Sequence, residues 1–421
     1  MDPDAKYAAF PVSVSVETPL DTVDGDARDR FVQISQSEAK EFYGATNVWL
    51  VHGSHTGGHA SAARSLKEAL ERHPGVSAEI VNMAETSSNK TPASTAAEVA
   101  LKGGDWVRNI RSWVFNQQYE GNGFLKWFSN MAMKREGNHQ EAFLNRLEQE
   151  KPDALVSTMS ATNSLLSIWS DEGVLRQPVQ SVLTDFASHQ MWAQDNIAKY
   201  YVATPAVKQD LEKFGVEADK VAVTGIPIKR DFASPAQSPQ EARQALGLDP
   251  EKPLVLMLGG SLGYGSFSES LSAMDSTEGD FQMAAITGKN ENLRRELEEL
   301  DTSKDLHVEG YVTNMPTWID AADLVVTKPG GLTCSEILAK GKPMILQHAD
   351  SGLEGRLVRR LEESGVALVV DGAKDMARTV SELIKEPQKL DALKAKARAV
   401  GKPTSSDEIA DSILRSIRSA S

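Results

Sequence analysis

At 421 residues the chain is too long for one ordinary core and fits two or three domains. Its composition, 40% hydrophobic and 25% charged, is that of a globular protein, and a net charge of −14 argues against a generic nucleic-acid binder, whose phosphate contacts need a basic face. The single cysteine, Cys334, excludes an internal disulfide, the eight histidines show no paired metal spacing, and no run of roughly 18 apolar residues is present to span a membrane.

Residues 1 to about 44 are polar and acidic without periodicity and read as an extension; the opening MDPDAKYAAF lacks the apolar stretch of a secretory signal, so a cytoplasmic location is expected. Asn47–His52 is an apolar run suited to a buried strand. The glycine turn Gly53–His59 follows, and Ala62, Ala63, Leu66, Ala69 and Leu70 then recur at helical spacing. With a strand at Val76–Val81 this is a βαβ unit, which implies a parallel sheet. Further buried strands are expected at Ala154–Thr158, Val179–Thr184, Lys199–Ala203 and from Val221. After the Pro- and Ser-containing stretch Ala233–Pro239 the pattern restarts. A strand at Pro253–Leu258 leads into the glycine turn Gly259–Gly265, and more strands follow at Met283–Thr287, Leu306–Gly310, Leu324–Thr327, Pro343–Leu346 and Ala367–Val370. Two α/β halves facing a cleft result, with ligands expected at the carboxyl ends of the strands.

Four constellations carry chemistry. Gly57, Gly58 and His59 open a helix, where free N–H groups and the helix dipole favour an anion and the imidazole can face the cleft, or else this is an ordinary βα turn with an exposed histidine. The run Thr327–Glu336 ends a strand at Pro329, frees the backbone at Gly330 and Gly331, and starts a helix. Its N–H groups and the hydroxyls of Thr333 and Ser335 suit a diphosphate, while Glu336 can accept from ribose hydroxyls; or else Thr333 or Ser335 only caps the helix and Glu336 is a solvated acid. Asp185 and His189 follow a strand and can share the deprotonation of a hydroxyl, or else Asp185 caps the next segment. The stretch 102–135 carries six Lys or Arg against two acids and three of the seven Trp. Trp106, Arg108, Arg111, Trp113, Lys126 and Trp127 suit an anionic membrane surface, or else form the core face of two helices with a solvated basic edge.

Seven stretches in order resemble the diacylglycerol glycosyltransferase family, which includes monogalactosyldiacylglycerol synthases and processive glucosyltransferases, and more distantly the enzyme that adds GlcNAc to lipid I. They are Thr56–His59, Thr184–His189, Tyr200–Thr204, Val223–Ile228, Gly259–Gly263, Gly310–Val312 with Asn314 and Met315, and Thr327–Glu336. The resemblance implies a GT-B fold. Residues 45–230 would form an acceptor-side Rossmann-like domain, 231–404 a UDP-sugar domain, and 405–421 a helix returning to the first. It implies an inverting transfer of a hexose, without a metal, from a UDP-sugar (UDP-Glc or UDP-Gal favoured) to a lipid such as diacylglycerol at the inner membrane face. His59 would be the base, with Asp185 and His189 as the second choice. Gly260, Ser261, Tyr311, Val312, Leu332, Asp350 and Glu354 would join the two glycine turns in holding the UDP-sugar. The chain departs from the family pattern at Leu353 and Leu357, where a Gln and an Asn are usual and a hexose would lose hydrogen-bond partners. A nucleotide-sugar epimerase of the same fold, a non-catalytic sensor and a transferase with a soluble acceptor are the alternatives.

Overall fold

The computed structural model describes residues 46–53, 57–86, 130–131, 133–135, 137, 139–234, 236–259, 267–349 and 352–420. It consists of two six-stranded sheets in which every strand pair is parallel. The expected α/β architecture with two Rossmann-like halves is what the chain forms.

The first sheet contains β1 (Thr46–His52), β2 (Val76–Asn82), β3 (Ala154–Ser157), β4 (Val179–Val182), β5 (Lys199–Val202) and β6 (Val221–Val223), in the order β2-β1-β3-β4-β5-β6. The second contains β7 (Leu254–Leu258), β8 (Gln282–Ile286), β9 (Leu306–Glu309), β10 (Leu324–Thr327), β11 (Met344–Gln347) and β12 (Ala367–Val370), in the order β12-β11-β10-β7-β8-β9. β3, β4, β7, β8 and β10 are buried along their whole length. Helices cover both faces of a parallel sheet, so its central strands read as continuous apolar runs rather than alternating ones.

One hydrophobic cluster runs through both halves, from Trp49, Leu155 and Leu183 to Leu256, Trp318 and Leu346. The helix Ser405–Ala420 lies at the end of the chain yet packs on the first sheet: Ile409, Ala410, Ile413 and Leu414 are buried against Val48, Leu50, Leu66 and Tyr201. Ser405 Oγ donates to Ile226 O and Ser406 Oγ to Ile228 O, both at 2.7 Å, so the two chain crossings between the sheets are joined. No helix among the described residues is long and apolar enough to cross a membrane.

Candidate functional site

In an open parallel sheet, ligands bind where the strand order reverses, at the carboxyl ends of the two strands flanking that point. In the first sheet the reversal lies between β1 and β3, and in the second between β7 and β10. The turns that follow these strands carry His59 and Thr158 on one side and Gly259 and Gly330–Gly331 on the other. Topology therefore brings the two glycine turns to one place.

The helices that start there share a feature. Helix Gly58–Leu70 has Gly57 as its N-cap, at φ 96, and helix Gly331–Ala339 has Gly330; neither N-cap contributes a side-chain hydrogen bond. By contrast, Thr204, Ser238 and Asn290 cap their helices through their side chains. The two glycine-capped helices thus start without a side-chain cap, and their first-turn N–H groups and dipole suit an anion. Gly331 is required for another reason. A Cβ there would collide with the Thr184 carbonyl oxygen and lie 3.0 Å from Asp185 Cα. The second sheet's turn is thus pressed against the strand end of the first. Gly58 borders the same seam, where a Cβ on it would lie 3.8 Å from Leu332 Cβ.

His59 is half-buried at the start of its helix. Its Nδ1 lies 2.7 Å from Thr158 O and 2.9 Å from Thr184 Oγ1. A carbonyl only accepts, so Nδ1 carries the hydrogen and Nε2 keeps its lone pair. Burial lowers the imidazole pKa below its ordinary 6.5, against the opposing pull of the Thr158 carbonyl. A neutral imidazole with a fixed tautomer is the form a general base requires.

Asp185 also reaches the seam. Its Oδ1 accepts from Phe186 N at 2.7 Å, and burial raises its pKa to about 7, with Glu354 adding to the rise. His189 is placed differently. Its ring is buried 6.3 Å from that of Trp192, and burial pushes its pKa down to about 4. It is thus packed within the first half and held neutral there.

An open cavity of about 260 Å³ extends from the seam. Of the expected residues, Tyr311, Val312, Leu332, Thr333 and Glu336 line it. Tyr311 is 63% exposed, with Lys289 Nζ 5.9 Å from its ring centre. Burial pushes the Glu336 carboxyl up to about 8, opposed by the cation of Lys229. Ser335 does not face the cavity: its Oγ donates to Gly331 O within its own helix, at 2.9 Å. Pro329 and Gly330 are half-buried beside it, and Glu354 is exposed on helix Gly352–Glu363. Leu357 is a core residue packed in the main cluster, whereas Leu353 is half-buried. Gly260, Ser261, Asp350, Trp106, Arg108, Arg111, Trp113, Lys126 and Trp127 lie outside the described residues. Among the described residues no group of three or more His, Cys, Asp or Glu could hold a metal ion.

The cavity also contains residues that the motifs did not flag. Lys229, Asp231 and Phe232 come from the connection between the sheets, Pro316 from the start of a helix, next to the Met315 of the matching stretch, and Ser61 from the helix that carries His59. Ser61 could have been found, since it lies two positions after His59. Lys229 directly follows the Val223–Ile228 stretch, but a lone cation after a strand carries no signal by itself.

The model of the monogalactosyldiacylglycerol synthase family matches residues 59–228, and that of the glycosyltransferase family 28 C-terminal domain matches residues 254–412. The chain is 31% identical over 291 residues to a processive diacylglycerol beta-glucosyltransferase of Bacillus cereus, covering 68% of this chain and 72% of that protein. It is 32% identical over 239 residues to the Bacillus licheniformis protein of the same name, where it spans 62% of that relative's length and 56% of its own. Among solved structures it is similar to MurG of Acinetobacter baumannii, with a TM-score of 0.57, 16% identity, and coverage of 88% of this chain and 99% of that one. It is also similar to Anabaena Alr3699/HepE in complex with UDP-glucose, at a TM-score of 0.52 and 14% identity, covering 88% and 99%. At these identities the structural likeness establishes the GT-B fold.

Proposed function

Because the chain belongs to the diacylglycerol glycosyltransferase family, we propose that it transfers a hexose from a UDP-sugar to a lipid hydroxyl, with diacylglycerol as the acceptor and UDP-Glc or UDP-Gal as the donor. The observation that carries this reading is the seam at Gly331 and Thr184, which sets a neutral, tautomer-fixed His59 beside an uncapped helix start and a cavity that holds Glu336 and Lys229.

In this reading the UDP diphosphate lies at the N-terminus of helix Gly331–Ala339. The helix dipole, the Gly330–Gly331 backbone and Lys229 take up the charge that develops as the anomeric C–O bond to UDP breaks. Glu336 accepts from the ribose. The acceptor hydroxyl attacks the opposite face of the anomeric carbon and gives its proton to His59 Nε2, and the anomeric centre inverts. These groups can neutralise the leaving diphosphate without a metal ion. The basic aromatic stretch 102–135 would hold the protein on an anionic lipid surface.

The test is UDP release from UDP-Glc, UDP-Gal and UDP-GlcNAc, each with and without diacylglycerol vesicles, in buffer and in excess chelator. Lipid-dependent release that survives chelation supports the reading. Release indifferent to lipid would remove the lipid acceptor, and release abolished by chelation would remove the metal-free step.

A further inference from the structure

Three of the stretches that line the cavity are the connection between the sheets, through Lys229, Asp231 and Phe232; the start of helix Met315–Ala321, through Met315 and Pro316; and the start of helix Gly331–Ala339, through Thr333 and Glu336. Their other ends meet at one buried ion pair. Lys340, the residue that ends the second of these helices, places Nζ 3.0 Å from Asp320 Oδ2 and 3.2 Å from Ser234 O. Asp320 sits in the last turn of the other helix, and its Oδ2 also accepts from Gln237 N at 3.3 Å. Lys342 Nζ donates to Asp320 O and Ala322 O, at 2.8 and 2.9 Å, and closes the end of the same helix. The Lys340 and Asp320 side chains are 2% and 3% exposed.

A buried ion pair is a weak source of net stability, because desolvating two charges offsets most of their attraction and apolar side chains fill such space about as well. What it does supply is a fixed distance between the groups it joins. Here it joins three backbones whose opposite ends form part of the wall of one cavity. We propose that Asp320 and Lys340 are positioning residues that set the spacing of the UDP cavity, and so its affinity, from outside it. This rests on the donor reading above.

Titration of the whole 421-residue chain with UDP separates the two ideas. Wild-type chain that does not bind UDP would sink the donor reading and this one with it. Where wild type binds, Lys340→Met should weaken UDP by about tenfold or more, since small misplacements far from a site have effects of that size. Leu383→Ala, which opens a hole in the other buried cluster of the second sheet, controls for simple loss of stability and should leave UDP affinity close to wild type. Folded Lys340→Met with wild-type affinity would overturn the proposal, as would an equal loss in Leu383→Ala. Should Lys340→Met not fold, hydrogen exchange on wild type decides. Saturating UDP should slow exchange at the Gln237 amide, which bonds Asp320 and lies outside the cavity lining. An unchanged Gln237 rate overturns the proposal.

Discussion

His59 sits where two constraints meet: the Thr158 carbonyl fixes its tautomer, and burial keeps it uncharged. Replacing it with Ala should lower turnover by ~100- to 10,000-fold while leaving UDP affinity nearly unchanged, because the ring is proposed to touch the acceptor and not the nucleotide. Full activity in that variant would remove it as the base. The pH profile of kcat/KM distinguishes it from Asp185. A base with its pKa held below 6.5 loses rate only as pH falls beneath that value, whereas a carboxylate at about 7 places the midpoint of the acid limb near 7. Glu336 permits a second prediction. A carboxyl raised from 4.5 to about 8 binds its proton more tightly in the folded chain than in the unfolded one. Folding stability therefore falls through this group as pH rises from about 4.5 to about 8. Glu336→Gln should raise the unfolding free energy at pH 8 by ~1 kcal/mol, once its partial exposure is allowed for, and weaken UDP. A lower thermal midpoint than wild type at pH 8 would contradict this account. His59 and Glu336 were legible in the sequence because each stands beside a glycine turn. Ser335 was less so: a hydroxyl near the start of a helix can serve a ligand or bond back to the carbonyl four residues earlier, and spacing does not distinguish the two. Leu357 read as a lost sugar contact, but its side chain belongs to the core.

At the scale of elements, the apolar runs located the strands to within a residue or two, since strands buried on both faces are largely apolar, although β4 carries Gln180 and Ser181 fully buried at its centre. The seam between the halves was not legible. Nothing local in Thr327–Glu336 indicates that Gly331 will meet the carbonyl of Thr184, because that contact exists only when both sheets are assembled. Adjacent glycines in the same motif consequently have different roles. A Cβ on Gly330 meets nothing within 4 Å, and one on Gly331 collides with backbone. Gly330→Ala should therefore change stability by no more than about 0.5 kcal/mol. Gly331→Ala should hold the turns apart and lower kcat/KM by about 10- to 100-fold, because the reacting groups no longer meet. Small-angle scattering should show a larger radius of gyration for that variant alone. Equal behaviour of the two variants would mean that the seam does not govern catalysis.

At the scale of the whole molecule, the core is continuous. Trp49 and Leu183 of the first half belong to the same cluster as Trp318 and Leu346 of the second. The chain also returns, so that Ile409 and Ile413 from its last helix complete the smaller cluster under β1. Ile409, Ile413 and Ile417 recur every four residues, a spacing that makes one apolar stripe on a helix; which sheet the stripe covers is settled only by assembly. Two halves joined by a shared core and two chain crossings should unfold together. Ile413→Ala removes a fully buried side chain and should cost about 2–5 kcal/mol. If the halves are one cooperative unit, that loss will not stay in the first sheet. The slowest-exchanging amides of β3 and β10 should accelerate by the same factor, although Ile413 packs only with the first sheet. UDP, proposed to bind at the second sheet, should likewise slow both sets in wild type. Acceleration confined to β1, β3 and β4, with β7 and β10 unmoved, would instead make the halves separate folding units that meet only at the seam.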